Sequence, residues 1–282
     1  MVQSASVSAD PSVATTPGWQ HPLPGRLHKP VLGFFVGWLA VSSAVLVLRL
    51  PWPVDLPWLD ALLWPLAAAT LLVGLARRLP LQNVVATALL AGGIGLAVHW
   101  IGGVTDVPFG RRESSGLMGD RLLRHVPWGL PFVWITLAIA CRGVARLILR
   151  PWRKLTYYGF WVMGVAALLS LLTALALEPF AHARAWWVWE TPRGVWAWHT
   201  APWVDFLGWL LTTLAIYGFT TPWLLNKQPV KQPTDWHPLL VWGLLSAFLT
   251  LGNALAGAWD AVVLVSVGAG YAVHRAVQGG RW

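Results

Sequence analysis

Apolar stretches long enough for a hydrocarbon core of about 30 Å recur along this chain with short polar interruptions. Eight can be marked: Val31 to Leu48, Trp58 to Leu75, Val84 to Trp100, Val126 to Cys141, Tyr158 to Leu177, Val204 to Trp223, Pro238 to Ala254 and Trp259 to His274. Each predicts a helix, because lipid offers no water to an open backbone. The fourth is followed by Arg142, Arg146 and Arg150 on one helical face, which predicts an extension along the membrane surface. Only a tight turn, Gly257 to Asp260, separates the last two, so they predict an antiparallel pair. Gly92-Gly93-x-Gly95 lies inside the third span, where small residues let helices approach closely. The pattern therefore predicts an all-α, polytopic membrane bundle of about eight helices over residues 31–277, with a short tail at 278–282. Residues 1–30, rich in Ser, Ala, Thr and Pro, read as a flexible tail and not as a signal peptide.

Composition agrees with a membrane class. Apolar residues make up 56% and charged residues 11%, against about 45–50% and about 25% in soluble domains. Disorder is excluded by the apolar content, and Cys141, the single cysteine, excludes a disulfide scaffold or a metal ribbon. The net charge of +9 is scattered between apolar blocks, so it points to lipid and not to nucleic acid. With eight spans both termini share one side; that side carries thirteen basic residues against Asp10 and Asp235, and the other side carries seven. The asymmetry predicts a multi-pass protein of the cell membrane with both termini cytoplasmic.

Nine of the eleven acids then fall on the non-cytoplasmic face, together with two long loops, one after His99 and one between Glu178 and Asp205. His99, His125, His182 and His199 also fall there, but without the i, i+3 or i, i+4 spacing of a helical metal site, and no metal is predicted. No nucleophile elbow, phosphate loop or dinucleotide fingerprint is present, so no cofactor is implied. Of 22 tryptophans, seven lie between Trp186 and Trp209, denser than interfacial anchoring requires. Trp187-x-Trp189 and Trp196-x-Trp198 alternate around Thr191-Pro192-Arg193-Gly194, which predicts a hairpin pairing 190 with 195 and placing all four indoles on one face. Such a face serves either to grip a flat conjugated ligand or as a lipid-embedded rim. Asp205, in a first helical turn, either caps its helix or does chemistry. Glu178, at a helix C-terminus that disfavours negative charge, is either an interfacial carboxylate or functional.

Three segments, Ile101-Gly102 through Pro108-Phe109-Gly110, Val126-Pro127 through Pro131 and Trp134, and Glu178-Pro179 through Trp187-x-Trp189, Gly194, Pro202 and Phe206-Leu207-Gly208-Trp209, carry a resemblance. Over roughly residues 95–215 the chain resembles a family of integral-membrane carotenoid-biosynthesis proteins that includes the bacterioruberin-pathway and γ-carotene end-group hydratases. It departs from that pattern in having His99 where an acid stands, Arg112-Glu113 in place of a Tyr-rich pair, Glu178 for an Asp and Asp205 for an Asn.

The resemblance implies hydration of a terminal C=C of an acyclic carotenoid through a tertiary cation, which requires no redox cofactor. Glu178 and Asp205 are then the candidate acids and His99 a base that orients water, with Trp187, Trp189, Trp196, Trp198, Phe109 and Trp209 as substrate contacts. The implied partners are a carotenoid or other polyisoprenoid, the bilayer and other carotenoid-biosynthesis enzymes. A non-catalytic carotenoid-binding or assembly protein fits the same loops. A transporter fits less well, since the marked spans hold no ionisable residue near their middles; Asn253 and the end-placed His99 and Asp60 are the notable polar positions.

Overall fold

The computed structural model describes residues 27–52, 56–225 and 233–282; Asp55, Lys227, Lys231 and the tail before Leu27, all used in the charge and tail assignments, lie outside the described residues. Among the described residues, eight helices are long and apolar enough to cross a membrane. They are α1 (His28–Leu48), α2 (Leu63–Ala76, entered through a 3-10 turn at Pro57–Leu62), α3 (Leu81–Thr105), α4 (Gly129–Ile148), α5 (Tyr158–Ala183), α6 (Trp203–Thr220), α7 (His237–Leu255) and α8 (Trp259–Gly280). The fold is an all-α, multi-pass membrane bundle. Short strands add β1 (Arg112–Ser114), β2 (Arg121–Leu122), β3 (Val126–Pro127), β4 (Trp187–Trp189), β5 (Ala197–Trp198) and β6 (Ala201–Pro202). All of them sit at one end, in the connections α3–α4 and α5–α6; this is the loop end, and the other is the terminal end.

Helix α4 is the axis of the bundle and packs against α2, α3, α5, α7 and α8. Its buried face includes Ala138, Ala140, Cys141 and Ala145, small side chains that let neighbouring backbones approach where lipid removes the usual hydrophobic drive. Against α3, a Cβ at Gly95 would overlap the Trp134 ring, and one at Gly92 would stand 3.1 Å from Ile135. The glycine run is thus a packing surface. The turn between α7 and α8 is as tight as expected, with Gly257 at φ +78.

Several boundaries and one pairing differ from expectation: α3 runs on to Thr105 instead of ending at Trp100, and α8 to Gly280 instead of His274. Helix α4 does not leave the bundle at Cys141 but continues to Ile148, and Arg142 is 9% exposed, because α2, α5 and α7 surround this turn with protein instead of lipid. Helix α5 runs past Leu177 and through Pro179 to Ala183. A proline frees the carbonyl four residues before it. That carbonyl, Leu175 O, accepts the Trp198 indole N–H at 3.1 Å, and the next one, Ala176 O, accepts from Asn253 Nδ2 at 2.8 Å. The helix persists because the Trp198 indole supplies the donor that the proline removes, and the Asn253 amide adds a further bond at the next carbonyl.

The predicted Trp hairpin does not form. A turn does close at Pro192–Val195, but β4 pairs with β1 in the antiparallel register Arg112↔Trp189, Glu113↔Val188, Ser114↔Trp187, and β5 pairs with β6. Trp187 and Trp189 are buried while Trp196 is 66% exposed, so the four indoles do not share a face. The local register would have left that face uncovered, whereas β1 brings Arg112, a cation that the indole faces attract.

Candidate functional site

Alternation along the β1–β4 pair turns Ser114, Trp187 and Trp189 inward and Glu113 and Val188 outward. The Arg112 guanidinium enters on the inner side, with its Nη1 fully covered. It lies over the rings of Trp187 at 4.9 Å, Trp189 at 5.4 Å and Phe109 at 5.8 Å. Both indole N–H groups point beyond it: Trp187 Nε1 and Trp189 Nε1 donate to Glu178 Oε2 at 2.9 and 2.8 Å. Each indole therefore offers a face to a cation and an edge to an anion, which follows from its quadrupole and single donor.

Glu178 is 1% exposed and Asp205 0%. Asp205 is set against Glu178, Arg112 and Trp209, and neither of its oxygens receives a donated hydrogen bond among the described residues. Burial pulls the Arg112 pKa below the ordinary arginine range, and Asp205 and Glu178 push it back up. One buried cation thus faces two buried carboxyls, and buried charge is costly unless balanced.

His99, in the last turns of α3, completes the group. Its Nδ1 lies 2.8 Å from Arg112 Nη2, and since arginine only donates, Nδ1 accepts and the ring proton sits on Nε2. His99 stacks on Phe109 at 4.2 Å and meets Trp134 at 5.7 Å; Trp134 in turn lies 4.6 Å from Trp209. Gly208 admits the Phe109 ring, which a Cβ there would meet at 2.6 Å. Above His99 and Arg112 opens a cavity of about 220 Å³, whose lining includes Asp106, Arg111, Glu113, Arg121 and His125.

The structure therefore gathers His99, Phe109, Glu178, Trp187, Trp189, Asp205 and Trp209 and leaves out Trp196 and Trp198. His99 is not placed as a base, because its lone pair is taken by Arg112. The indole faces of Trp187 and Trp189 meet the protein's own cation. Asp205 is not a helix cap: no capping side-chain bond forms at the start of α6, and Pro202 at the cap position has no N–H for a carboxylate in the first turn. Glu178 is not interfacial, being buried within α5. His125 and His182 are exposed and His199 pairs with Asp260 at 3.1 Å. Among the described residues no group of three or more His, Cys, Asp or Glu gathers as a metal site.

Sequence reasoning missed Arg112 and Trp134 as site residues. The signal for Arg112 is its alternation with Ser114 opposite Trp187-x-Trp189, a strand too short to stand out. Trp134 did carry a signal, as part of the segment that bears the family resemblance, but at mid-span it reads as a packing residue.

No solved structure matches the chain. It is similar to the bisanhydrobacterioruberin hydratase of Haloarcula japonica, 28% identical over 176 residues that make up 59% of this chain and 56% of that protein. The chain thus spans about half the length of that curated relative. Residues 58–273 match the family described as carotenoid biosynthesis protein, and every member of the buried cluster lies within that stretch. The chain belongs to this family of membrane carotenoid-biosynthesis proteins.

Proposed function

We propose that the chain is a carotenoid hydratase that adds water across the terminal isopropylidene C=C of an acyclic carotenoid by acid catalysis. The observation that carries the reading is the buried set of Arg112, Glu178 and Asp205 at the loop end of the bundle, one guanidinium facing two carboxyls. A single proton on the Glu178–Asp205 pair makes the set neutral. The two indole donors on Glu178 Oε2 favour the anion there, so the proton belongs to Asp205, with Glu178 as its partner. Asp205 delivers it to the less substituted alkene carbon, the tertiary cation forms on the other, and water adds there and returns a proton to the carboxyl pair. The Trp209 ring, next to Asp205 and packed on Trp134, supplies aromatic surface beside the acid, worth about 0.5–2 kcal/mol per cation contact. The cavity of about 220 Å³ is smaller than the roughly 300–1,000 Å³ of a drug-sized ligand pocket. Being polar, it suits the water side of the reaction, with the His99 Nε2–H as an orienting donor.

The departures noted in the sequence support the same reading. Where the family pattern carries an acid at position 99 and Asn at 205, this chain has His99 and Asp205, and both border Arg112. The acid has changed place from one side of position 112 to the other, and this chain carries there a guanidinium, Arg112, where the pattern has a Tyr-rich pair.

Expression in a cell that makes an acyclic carotenoid, with pigment mass spectrometry, tests the proposal. Wild type should add one water per end group, Asp205→Asn should add none, and His99→Asp placed in the Asp205→Asn background should recover product. Unchanged pigment that co-purifies with the wild-type protein would instead indicate carotenoid binding without catalysis. Full activity in Asp205→Asn would remove Asp205 as the acid.

A further inference from the structure

At the terminal end, away from the carboxyl cluster, a second cavity of about 410 Å³ lies between the last turns of α2 and α4, the start of α5 and the segment entering α7. Its size is that of a ligand pocket. Leu71, Ile139 and Leu147 give it an apolar side. Arg78, Arg142, Arg146, Arg150 and Arg153 also line it, and Asp235 is the one acid among its lining residues.

Several of these charges have protein partners. Arg78 pairs with Asp235 at 3.3 Å. Arg150 donates to Thr234 Oγ1 at 2.5 Å and to Gly280 O at 3.3 Å. Asp235 also accepts from His237, at 3.2 Å from its backbone N–H and 2.9 Å from its Nδ1. Burial would raise the Asp235 pKa, but His237 and Arg78 hold it below the usual carboxylate range, so this acid is ionised and engaged. Arg142 is different. It is 9% exposed, it donates no hydrogen bond and meets no carboxylate among the described residues, and its charged neighbour is Arg146, itself unpaired there.

A buried guanidinium is costly to leave without an anion, and its fork of donors matches phosphate oxygens two at a time. Carotenoid hydrocarbon carries no charge and cannot supply that anion, so this site is separate from the proposed reaction. We infer that the cavity binds the phosphate group of an anionic ligand through Arg142 and Arg146, with room on its apolar side for a hydrocarbon tail. Such a phosphate comes either from a phospholipid headgroup of the surrounding leaflet or from a water-soluble phosphate, and basic pockets between helices at a membrane face are suited to the former.

The test is thermal unfolding of the full chain in neutral detergent, followed by tryptophan fluorescence, with phosphatidylglycerol, phosphatidylcholine or inorganic diphosphate added. Stabilisation by phosphatidylglycerol alone assigns a lipid headgroup, and stabilisation by diphosphate as well assigns a soluble phosphate. In either case Arg142→Gln should weaken the response about tenfold or more. Arg146→Gln, at an exposed position that leaves folding intact, should weaken it likewise, and Arg193→Gln at the loop end should not. No stabilisation by either anion, or an equal loss in Arg193→Gln, would overturn the inference.

Discussion

At the scale of single residues, Arg112 is what makes the cluster tenable. It stands over two indole faces while those indoles donate to Glu178, and it is the cation facing both Glu178 and Asp205. Replacing it by methionine keeps bulk but leaves two buried carboxyls without a counter-charge. Breaking a buried pair costs about 3–5 kcal/mol, so Arg112→Met should lower the detergent unfolding midpoint sharply, and adding Glu178→Gln should recover part of the loss. An unchanged midpoint in Arg112→Met would mean that the three groups do not act as a charge set. The acids themselves were legible in the sequence: Glu178 at a helix end that disfavours it, and Asp205 in a first turn. Arg112 was not, because in a loop beside Arg111 and Glu113 nothing local distinguishes a buried guanidinium from a solvated one.

At the scale of elements, α5 explains how a proline can sit inside a run of buried side chains, Ala176 to Ala181. Trp198 and Asn253 take the Leu175 and Ala176 carbonyls, and with those bonds in place the helix carries Glu178 inward and continues to Ala183. Trp198→Phe keeps the ring and removes the donor. It should cost about 1–3 kcal/mol, the penalty of an unsatisfied buried acceptor, while Trp196→Phe, on an exposed indole, should leave the midpoint unchanged. Equal midpoints for the two variants would contradict this account of the proline. Hydrophobic runs made the eight helices legible, and Gly92 and Gly95 announced the α3–α4 contact. The ends were less legible, because a charge or a proline reads as a stop unless its partner is known. For Arg142, Glu178 and Pro179 the relevant surroundings lie on other elements of the fold. The same limit applies to Trp187-x-Trp189: the period of two was visible, but β1, its strand partner, is more than seventy residues earlier.

At the scale of the whole molecule, the two cavities lie at opposite ends of one bundle, one above His99 and Arg112 and one lined by arginines. Their placement across the membrane is a prediction from the positive-charge asymmetry, which would put the terminal end in the cytoplasm. Reporter fusions after Lys154 and after Arg193 should therefore report opposite sides, with Lys154 cytoplasmic; the same side for both, or the reverse order, would contradict that orientation. The central claim, proton delivery from the Glu178–Asp205 pair to an alkene carbon, is tested most directly by isotope. Membranes containing the protein are incubated with an acyclic carotenoid in D₂O, and the product is washed in H₂O before mass spectrometry. Wild type should yield product with a deuteron fixed on carbon at each hydrated end, and Glu178→Gln should yield no hydrated product although it accumulates in the membrane. Hydrated product without carbon-bound deuterium, or undiminished product from Glu178→Gln, would contradict the account.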